Sequence, residues 1–485
     1  MHRRVSPRTP LLAALLLLTF AVPAVAQTDW AVAARKDAQI TTLVGRLLPF
    51  AESVEGAADA DGVILYDQSI VKAEENKHSH CTNRIFLVRD LASFPDRFLK
   101  PGVAAEDRVD RAMGFIVRDG AIVARLEPTY ESGPDEIGEE RAVFDWSEVK
   151  SGDVIGWSLV ETQKSPYPGI LVRLADVFPA VYIQASIDGG EKLSYEARWW
   201  AVDSDEVKVE ETAKRDGRAV GLKLDARGRA AAAEVSDEFP LSYDVPHALL
   251  VLDEIYFEPE GEAAGFLLPG WAPARGWNSV AIQNASIVEA LAEDASDMGI
   301  MLTAITTAKT TAHAKAAAIT DWVRKTIERE EGDLIRDGAM REDLTERMST
   351  KKGTEQEIFM LAAVMMKKAG VPVSVASFRD PSLGEIDESW EHGLQLTDAV
   401  LRVEDAGVVR YYAPQCAECE PGTIPAEWVG AKALVYDAGL ADEVETYSDK
   451  RQKEAMAGGQ IDVAEMQREV EAQDWTRFET LTVNE

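Results

Sequence analysis

The chain has 485 residues, which is enough for two or three domains that each bury a core. Its composition is that of an ordinary globular protein, with 46% hydrophobic and 28% charged residues, but 84 acidic side chains against 51 basic ones give a net charge of −33. Nucleic acid and anionic membrane surfaces bind clustered Lys and Arg, so we expect neither as a partner.

The N-terminal segment is typical of a secretory signal. Residues 1–10 carry three arginines, residues 11–22 form a short apolar run, and small residues follow at Ala24 and Ala26. The run is too short for a membrane-spanning helix. We therefore predict cleavage before Gln27, a periplasmic or secreted protein, and no integral membrane segment in the mature chain.

Period-two alternation dominates the chain from about residue 61 to residue 225 and predicts strands. The clearest strand-like segments are residues 62–71, 83–90, 113–127, 153–161 and 193–202. Asp119-Gly120 divides the third segment and is a strong hairpin turn. This half is predicted to be an antiparallel, sandwich-like all-β domain. Its tryptophans are assigned to core or half-buried sheet positions: Trp146, Trp157, Trp199 and Trp200.

The segment His78-Ser79-His80-Cys81 contains metal-binding residue types. On a strand, His78 and His80 share one face while Cys81 points to the other, so three ligands do not converge without a bulge. The chain also lacks a phosphate-cradling glycine loop, G-x-S-x-G and H-E-x-x-H. We therefore expect neither a metal nor a cofactor.

The period changes after about Trp277. Residues 277–295 and 311–330 place apolar residues three and four apart, which predicts amphipathic helices. A third such helix follows Gly353 and ends at Ala369-Gly370, and three strand-like segments come after it. Helices followed by strands indicate an α+β domain with an antiparallel sheet.

The chain has three cysteines, Cys81, Cys416 and Cys419, so disulfides are not its main scaffold. Cys416 and Cys419 form a C-x-x-C pair in a turn after a strand, and export would favour a disulfide between them. Acidic Glu418 and Glu420 argue against a thioredoxin-type redox pair. Half a zinc site is an alternative that lacks two further ligands.

Several segments, in this order, resemble a pair of bacterial families, the domain of unknown function 3857 followed by a transglutaminase-like domain of papain-type fold. The resemblance is carried by "VFDWSEVKSGDVIGWSLVETQKSPYPG", "GWNSVA", "AAAITDWVRKTI", "KKGTEQEIFMLAAVMMKKAGVP", "VVRYYAP" and "GTIPAEWVGAKALVYD". Together with the patterns above, it implies a signal peptide (1–26), a helical linker (27–60), an all-β domain (61–250), a connecting helical segment (251–300), a transglutaminase-like domain (301–440) and a charged helical tail (441–485).

In that family a Gly-Asp-Cys loop precedes the central helix, and the helix dipole lowers the pKa of the cysteine. A histidine on the following strand acts as base, and an aspartate on the next strand orients it. When Gly353 and Gly370 are matched to the family, the three catalytic positions fall on Glu355, Asp398 and Ala413. All three are changed, so the resemblance implies a lost triad and no catalytic residue.

The helix entry has a second explanation that needs no chemistry. Thr354 and Glu357 have the spacing of a capping box, and Glu355 in the first turn complements the helix dipole. Together these are worth on the order of 1 to 2 kcal/mol. The loop-to-helix junction is therefore explained by stability alone.

Two functions remain open at this point. The first is an exported, catalytically degenerate transglutaminase-like protein that binds or scaffolds a protein, a peptide or cell-envelope material. The alternative is an active cysteine peptidase or amide-processing enzyme with a displaced nucleophile, for which Cys416 or Cys419 would be the thiol. His392 could replace the base, but it lies six residues before the matched position.

Overall fold

A computed structural model describes most of the chain after the predicted signal peptide. The described residues are 36–73, 77–103, 109–132, 140–163, 169–190, 193–203, 206–215, 217–232, 246–255, 276–294, 298–330, 350–440, 473 and 475–482. The signal peptide and most of the predicted tail lie outside them. Among the described residues, no helix combines the length and apolar character needed to cross a membrane.

The fold is mixed α and β and rich in strands. The helices α1 to α6 are Asp37–Leu47, Asp96–Leu99, Trp277–Asp294, Gly299–Thr306, Ala312–Thr326 and Glu355–Lys368. The strands β1 to β14 are Gly62–Ala73, His78–Val88, Gly102–Val103, Val109–Arg118, Ala121–Leu126, Thr129–Ser132, Glu140–Val143, Val154–Gln163, Ile170–Arg173, Ala180–Asp188, Leu193–Trp200, Val207–Arg215, Arg218–Arg229 and His247–Ile255. The strands β15 to β21 are Glu328–Arg329, Lys352–Gly353, Val373–Phe378, Asp398–Asp405, Val408–Tyr412, Lys432–Asp437 and Arg477–Thr480.

The first half contains a large sheet of eight strands in the order β12-β13-β10-β1-β2-β8-β4-β5. The hairpin between β4 and β5 is confirmed, because Asp119 and Gly120 both adopt positive φ, as a type I′ turn requires. The expectation of a purely antiparallel sheet is wrong, since β1 and β10 pair in parallel. A period-two pattern shows that a strand is half-buried but not the direction of its partner.

A second sheet, β11-β14-β9, packs on the large one. Their shared core contains Phe86 and Trp157 from the large sheet, Leu250 from the second sheet and Phe98 from helix α2. Helix α1 covers part of the opposite face of the large sheet through apolar side chains such as Ile40. The large sheet is therefore buried on both faces over part of its area.

The second half contains the antiparallel sheet β19-β18-β17-β20-β21, with helices on one face. Helix α6 is central to this packing, and its residues from Ile358 to Met366 are buried apart from Met360. Loop residues cover the opposite face around Phe378 and Val400. The predicted helices and the antiparallel sheet are confirmed in this half.

The predicted helical tail needs a correction where it is described. Residues Arg477–Thr480 form β21 and extend the sheet beside β20. The reason is visible in the side chains, because Phe478 packs edge-on against Trp277 and Leu481 is buried. The alternating pattern of this strand is short and lies in a highly charged part of the sequence, so the sequence pattern does not predict it.

Replacing Gly156 with alanine tests the close packing of the large sheet. An added Cβ would lie 2.4 Å from Cζ of Phe115 and 2.9 Å from the carbonyl oxygen of Arg84. We expect Gly156→Ala to lower the free energy of unfolding by about 1–3 kcal/mol, because overpacking strains the sheet. Gly45→Ala in α1 is the control, since nothing lies within 4 Å of its Cβ, and it should be neutral or mildly stabilising. Equal urea midpoints for both variants would contradict this account.

Candidate functional site

The site lies at the N-terminus of α6, where the sequence places a capping box. Thr354 accepts a hydrogen bond from the backbone N–H of Glu357, and Oε2 of Glu357 accepts one from the N–H of Thr354 at 2.8 Å. This confirms the predicted box and satisfies two of the N–H groups that a helix start leaves open. The direction of α6 at the site is therefore fixed by its own first turn.

Glu355 is the first residue of α6, and its side chain is 47% exposed. Its Oε1 lies 2.7 Å from Nη1 of Arg329. Arg329 reaches it because β15 and β16 form a two-residue parallel pair just before the helix. An exposed ion pair of this kind contributes little stability, so its main effect is to orient the carboxylate.

Asp398 begins β18 and pairs with Phe378 of β17. Its Oδ2 accepts a hydrogen bond from Oγ1 of Thr397 at 2.9 Å, and that hydroxyl accepts one from the N–H of Asp380 at 2.8 Å. Burial, together with the negative charges of Asp380 and Glu355, raises the pKa of Asp398 to about 6 against the opposing hydrogen bond from Thr397. Glu355 and Asp398 are thus close enough to act on each other electrostatically.

Ala413 follows β19 directly and is buried. The pairing of Leu401 with Tyr412 places Ala413 opposite Val400 when the register is continued, on the same sheet face as Asp398 and two residues away. Ala413 and Val400 also share an apolar cluster with Phe378. The second and third matched positions therefore lie on the sheet face opposite the helices. Only the first and second are linked, because Glu355 acts electrostatically on Asp398 at the start of β18.

Two side chains beside this site were missed from the sequence. Arg329 joins it through the non-local β15–β16 pair, which has no local sequence signal. Gln415 falls opposite Asp398 in the continued register and donates a hydrogen bond from Nε2 to the carbonyl of Ala399 at 2.7 Å. Its position could be found only once the strand register was known.

The cysteines do not supply a free thiol at this site. Cys416 and Cys419 are joined in a disulfide in the turn after β19. Cys81 forms no disulfide and is fully buried in β2, where the side-chain amide of Asn83 lies 3.2 Å from its sulfur. Two of the three sulfurs are therefore oxidised, and the third lies in the other half of the chain.

The histidines considered from the sequence have structural surroundings. His80 contacts the hydroxyl of Ser69 at 2.7 Å, and burial together with His78 lowers its pKa to about 4. His392 is buried and accepts a hydrogen bond from the N–H of Leu394, and burial and the nearby Arg198 lower its pKa to about 4. Across the described ranges, no group of three or more His, Cys, Asp or Glu side chains could hold a metal ion.

The arrangement can accept hydrogen bonds and hold a proton, but it offers no nucleophile for acyl transfer. Glu355 and Asp398 are carboxyl groups, and a carboxylate attacking an amide would form a labile mixed anhydride. Ala413 has no side-chain atom that could orient an imidazole. The side chains of Glu355, Asp398 and Ala413 therefore supply hydrogen-bond acceptors and a titratable proton, but no thiol and no imidazole.

Comparisons with known proteins support the fold and leave the family open. No protein-family model matches the chain, and no curated protein does. A crystal structure described as a "putative protease" from Parabacteroides distasonis is 14% identical, covers 78% of this chain and 70% of its own, and has a TM-score of 0.54. A "putative cysteine protease" from Cytophaga hutchinsonii is 13% identical over 51% of this chain and 74% of its own, but its TM-score of 0.21 carries no argument. The first likeness shows a shared mixed α+β fold.

Asp398→Asn tests whether the ionised carboxylate of Asp398 lowers the free energy of unfolding. The pKa of Asp398 is raised from 3.8 to about 6 in the folded chain, so its ionised form destabilises the protein above pH 6, and this penalty shrinks as the pH falls towards 3.8. We expect the variant to be more stable by on the order of 1–3 kcal/mol at pH 7.5 and nearly unchanged at pH 4, measured by urea unfolding.

The half-exposed Asp321 of α5 provides the control for that measurement. Asp321→Asn should change the free energy of unfolding by a similar small amount at both pH values. The account of Asp398 fails if Asp398→Asn destabilises the protein equally at pH 7.5 and pH 4.

Proposed function

We propose that the protein is a catalytically degenerate member of the transglutaminase-like, papain-type class, exported to the periplasm or secreted, that acts as a binding or scaffolding module. The observation that carries this proposal is the identity of the three matched positions. They bear Glu355, Asp398 and Ala413, in the places where the class has a cysteine, a histidine and an aspartate. The disulfide after β19 is in keeping with an oxidising compartment.

The chemistry of the class needs all three groups. The cysteine must ionise at the helix N-terminus, and the imidazole must exchange its proton. Glu355 supplies a charge there but no sulfur, and Asp398, with its pKa near 6, has no nucleophile to serve. In this proposal, the two matched positions that act on each other carry carboxyl groups in place of a thiol and an imidazole.

The proposed ligand surface, called the groove below, is the region between the start of α6 and the adjoining ends of β18 and β19, where the resemblance would place an active site. Its polar groups are the carboxyls of Glu355 and Asp398, the guanidinium of Arg329 and the amide of Gln415. Such groups suit a ligand with hydrogen-bond donors and acceptors, including a protein segment, a peptide or cell-envelope material. In this proposal residues 61–250 and 301–440 are separate domains, and the second provides the groove.

The alternative is an active cysteine peptidase or amide-processing enzyme with a displaced nucleophile. The description of the Parabacteroides distasonis structure as a "putative protease" is in its favour. It needs a free thiol in the groove, and Cys416 and Cys419 are bonded to each other. Fold-level likeness is a weak warrant for activity, so we favour the binding module.

Direct assays distinguish the two functions. We expect the purified protein to show no amide hydrolysis, no transamidation and no labelling of a thiol by iodoacetamide under native conditions, because one cysteine is buried and two are paired. Turnover that disappears in Glu355→Ala or Asp398→Ala would overturn the proposal. Turnover that disappears in Cys416→Ser would establish the alternative.

A rebuilt pair tests whether the matched positions converge. An imidazole beside a thiol stabilises the thiolate, so adding Asp398→His to Glu355→Cys should raise the labelling rate at pH 7 by roughly tenfold, the effect of lowering the thiol pKa by one unit. The control is Lys368→Cys, an exposed thiol at the other end of α6, with and without Asp398→His. Equal enhancement in both backgrounds would show that positions 355 and 398 do not form one site.

A further inference from the structure

The first half of the chain, with strands β1 to β14, is called the β-rich half below, and the second half, with helices α3 to α6, is called the helical half. They meet at a loop that contains Trp390. Residues 387–396 are called the Trp390 loop below. Trp390 is buried, and its Nε1 donates a hydrogen bond to Oε1 of Glu196 in β11 at 2.6 Å. Its ring also packs with Leu249 and Val251, on the face of β14 that points away from the core between the two sheets of the β-rich half. A single aromatic side chain from the helical half is thus anchored on two strands of the β-rich half.

Four rings continue this contact in one row. His247 stacks on Trp200 with ring centroids 4.8 Å apart, and Trp200 lies 5.2 Å from Trp390. Trp390 in turn stacks on His392 at 5.1 Å. The row begins in β14, crosses β11 and ends on the Trp390 loop, so it spans the boundary between the halves.

His392 is at the end of this row in a site built for its neutral form. Its Nδ1 accepts a hydrogen bond from the N–H of Leu394, which places the proton of a neutral ring on Nε2. Nε2 is buried and has no hydrogen-bond partner. A second proton would therefore give the buried ring a positive charge, and Nε2 has no hydrogen-bond acceptor that would stabilise that charge.

The charged groups around His392 come from three directions. From β11, Arg198 lies over the Trp390 ring at 6.0 Å, and Glu196 is already bonded to Trp390. From β14, His247 is separated from His392 by the rings of Trp200 and Trp390. The loop itself contributes three acidic residues. Asp387 caps the turn at Ser389, and Glu388 pairs with Lys432. The Oε2 of Glu391 lies near Gly276.

The Trp390 loop leads directly into the candidate site. Gln395 is fully buried and closes the loop, since its amide accepts a hydrogen bond from the N–H of Asp387 and donates to the carbonyls of Asp387 and Trp390. Two residues later, Thr397 donates its hydroxyl hydrogen to Asp398. Movement at Trp390 would therefore be transmitted to the start of β18.

We propose that the Trp390 loop is an acid-sensitive contact between the β-rich half and the helical half, in which His392 senses the pH. In the closed contact His392 is neutral. Protonation places a positive charge beside Arg198 in a buried site, and the contact opens so that the imidazolium is hydrated. The proposal concerns the contact itself and does not depend on the ligand of the groove.

The size of the response follows from two pKa values. The pKa of His392 is about 4 in the closed contact and 6.5 for an exposed histidine. A group with a lowered pKa stabilises the closed form fully above pH 6.5, and that stabilisation is lost as the pH falls towards 4. The ratio of open to closed contact should rise about tenfold per pH unit in this interval, or roughly twentyfold between pH 7 and pH 5.

Hydrogen exchange measured by mass spectrometry on the whole chain tests the proposal. After correction for intrinsic exchange rates, protection of residues 387–396 should fall roughly twentyfold between pH 7 and pH 5, while β1 and β2 stay protected. His392→Gln, which keeps an acceptor for Leu394 but cannot become charged, should make the loop insensitive to pH. His80→Gln removes a buried histidine far along the chain with a similarly low pKa, and it should leave the response intact.

Two results would overturn the proposal. One is loop protection in the unchanged protein that does not differ between pH 7 and pH 5. The other is a His392→Gln loop that still opens with acid. If His392→Gln does not fold, NMR titration of the histidine ring signals in His80→Gln, which lacks the other histidine with a pKa of about 4, gives the answer. One remaining ring must stay neutral well below pH 6.5, and the absence of such a signal overturns the proposal.

Discussion

The burial of α6 is the constraint on which the second half of the chain depends. This helix lies between the other helices and the five-stranded sheet, and it buries the side chains of Leu361, Met365 and Met366 almost completely. A helix that is buried over most of its length has a fixed axis, so its first turn must lie at one place relative to the sheet. The position of Glu355 beside Asp398 follows from this packing rather than from any contact between the two carboxyl groups.

The same constraint explains why the start of α6 carries a charged first turn. A helix start needs partners for its N–H groups and favours negative charge, whether that charge is a thiolate or a carboxylate. Thr354 and Glu357 meet the first need, and Glu355 meets the second. The junction is therefore stabilised by its own first turn, with a carboxylate at Glu355.

Local signals in the sequence predict much of this structure. Asp119-Gly120 fixes a hairpin through the backbone of two residues, and the capping box fixes the start of α6 through four. The spacing of apolar residues likewise predicts α3 and α5. Each of these features depends on side chains within a few positions of one another, so the printed sequence contains the whole cause.

Features that depend on distant partners could not be predicted in the same way. The parallel pairing of β1 with β10 joins strands more than a hundred residues apart, and β21 forms because Phe478 meets Trp277. The ion pair of Arg329 with Glu355 depends on a two-residue ladder, and the anchoring of Trp390 on Glu196 depends on how the halves meet. None of these pairs has a local pattern, because the energy that forms them is tertiary.

The charge at Asp398 bears on whether the groove is used. A chain that needed only the fold would be more stable with a neutral side chain at this position, because burial and two neighbouring acids oppose ionisation. Asp398 is thus an unfavourable group close to the start of α6. Residues whose ionisation opposes stability in this way occur more often at functional sites than at purely structural ones. A ligand that donates hydrogen bonds to Asp398 and Glu355 would offset that cost, which is in keeping with the proposed ligand surface at these two side chains.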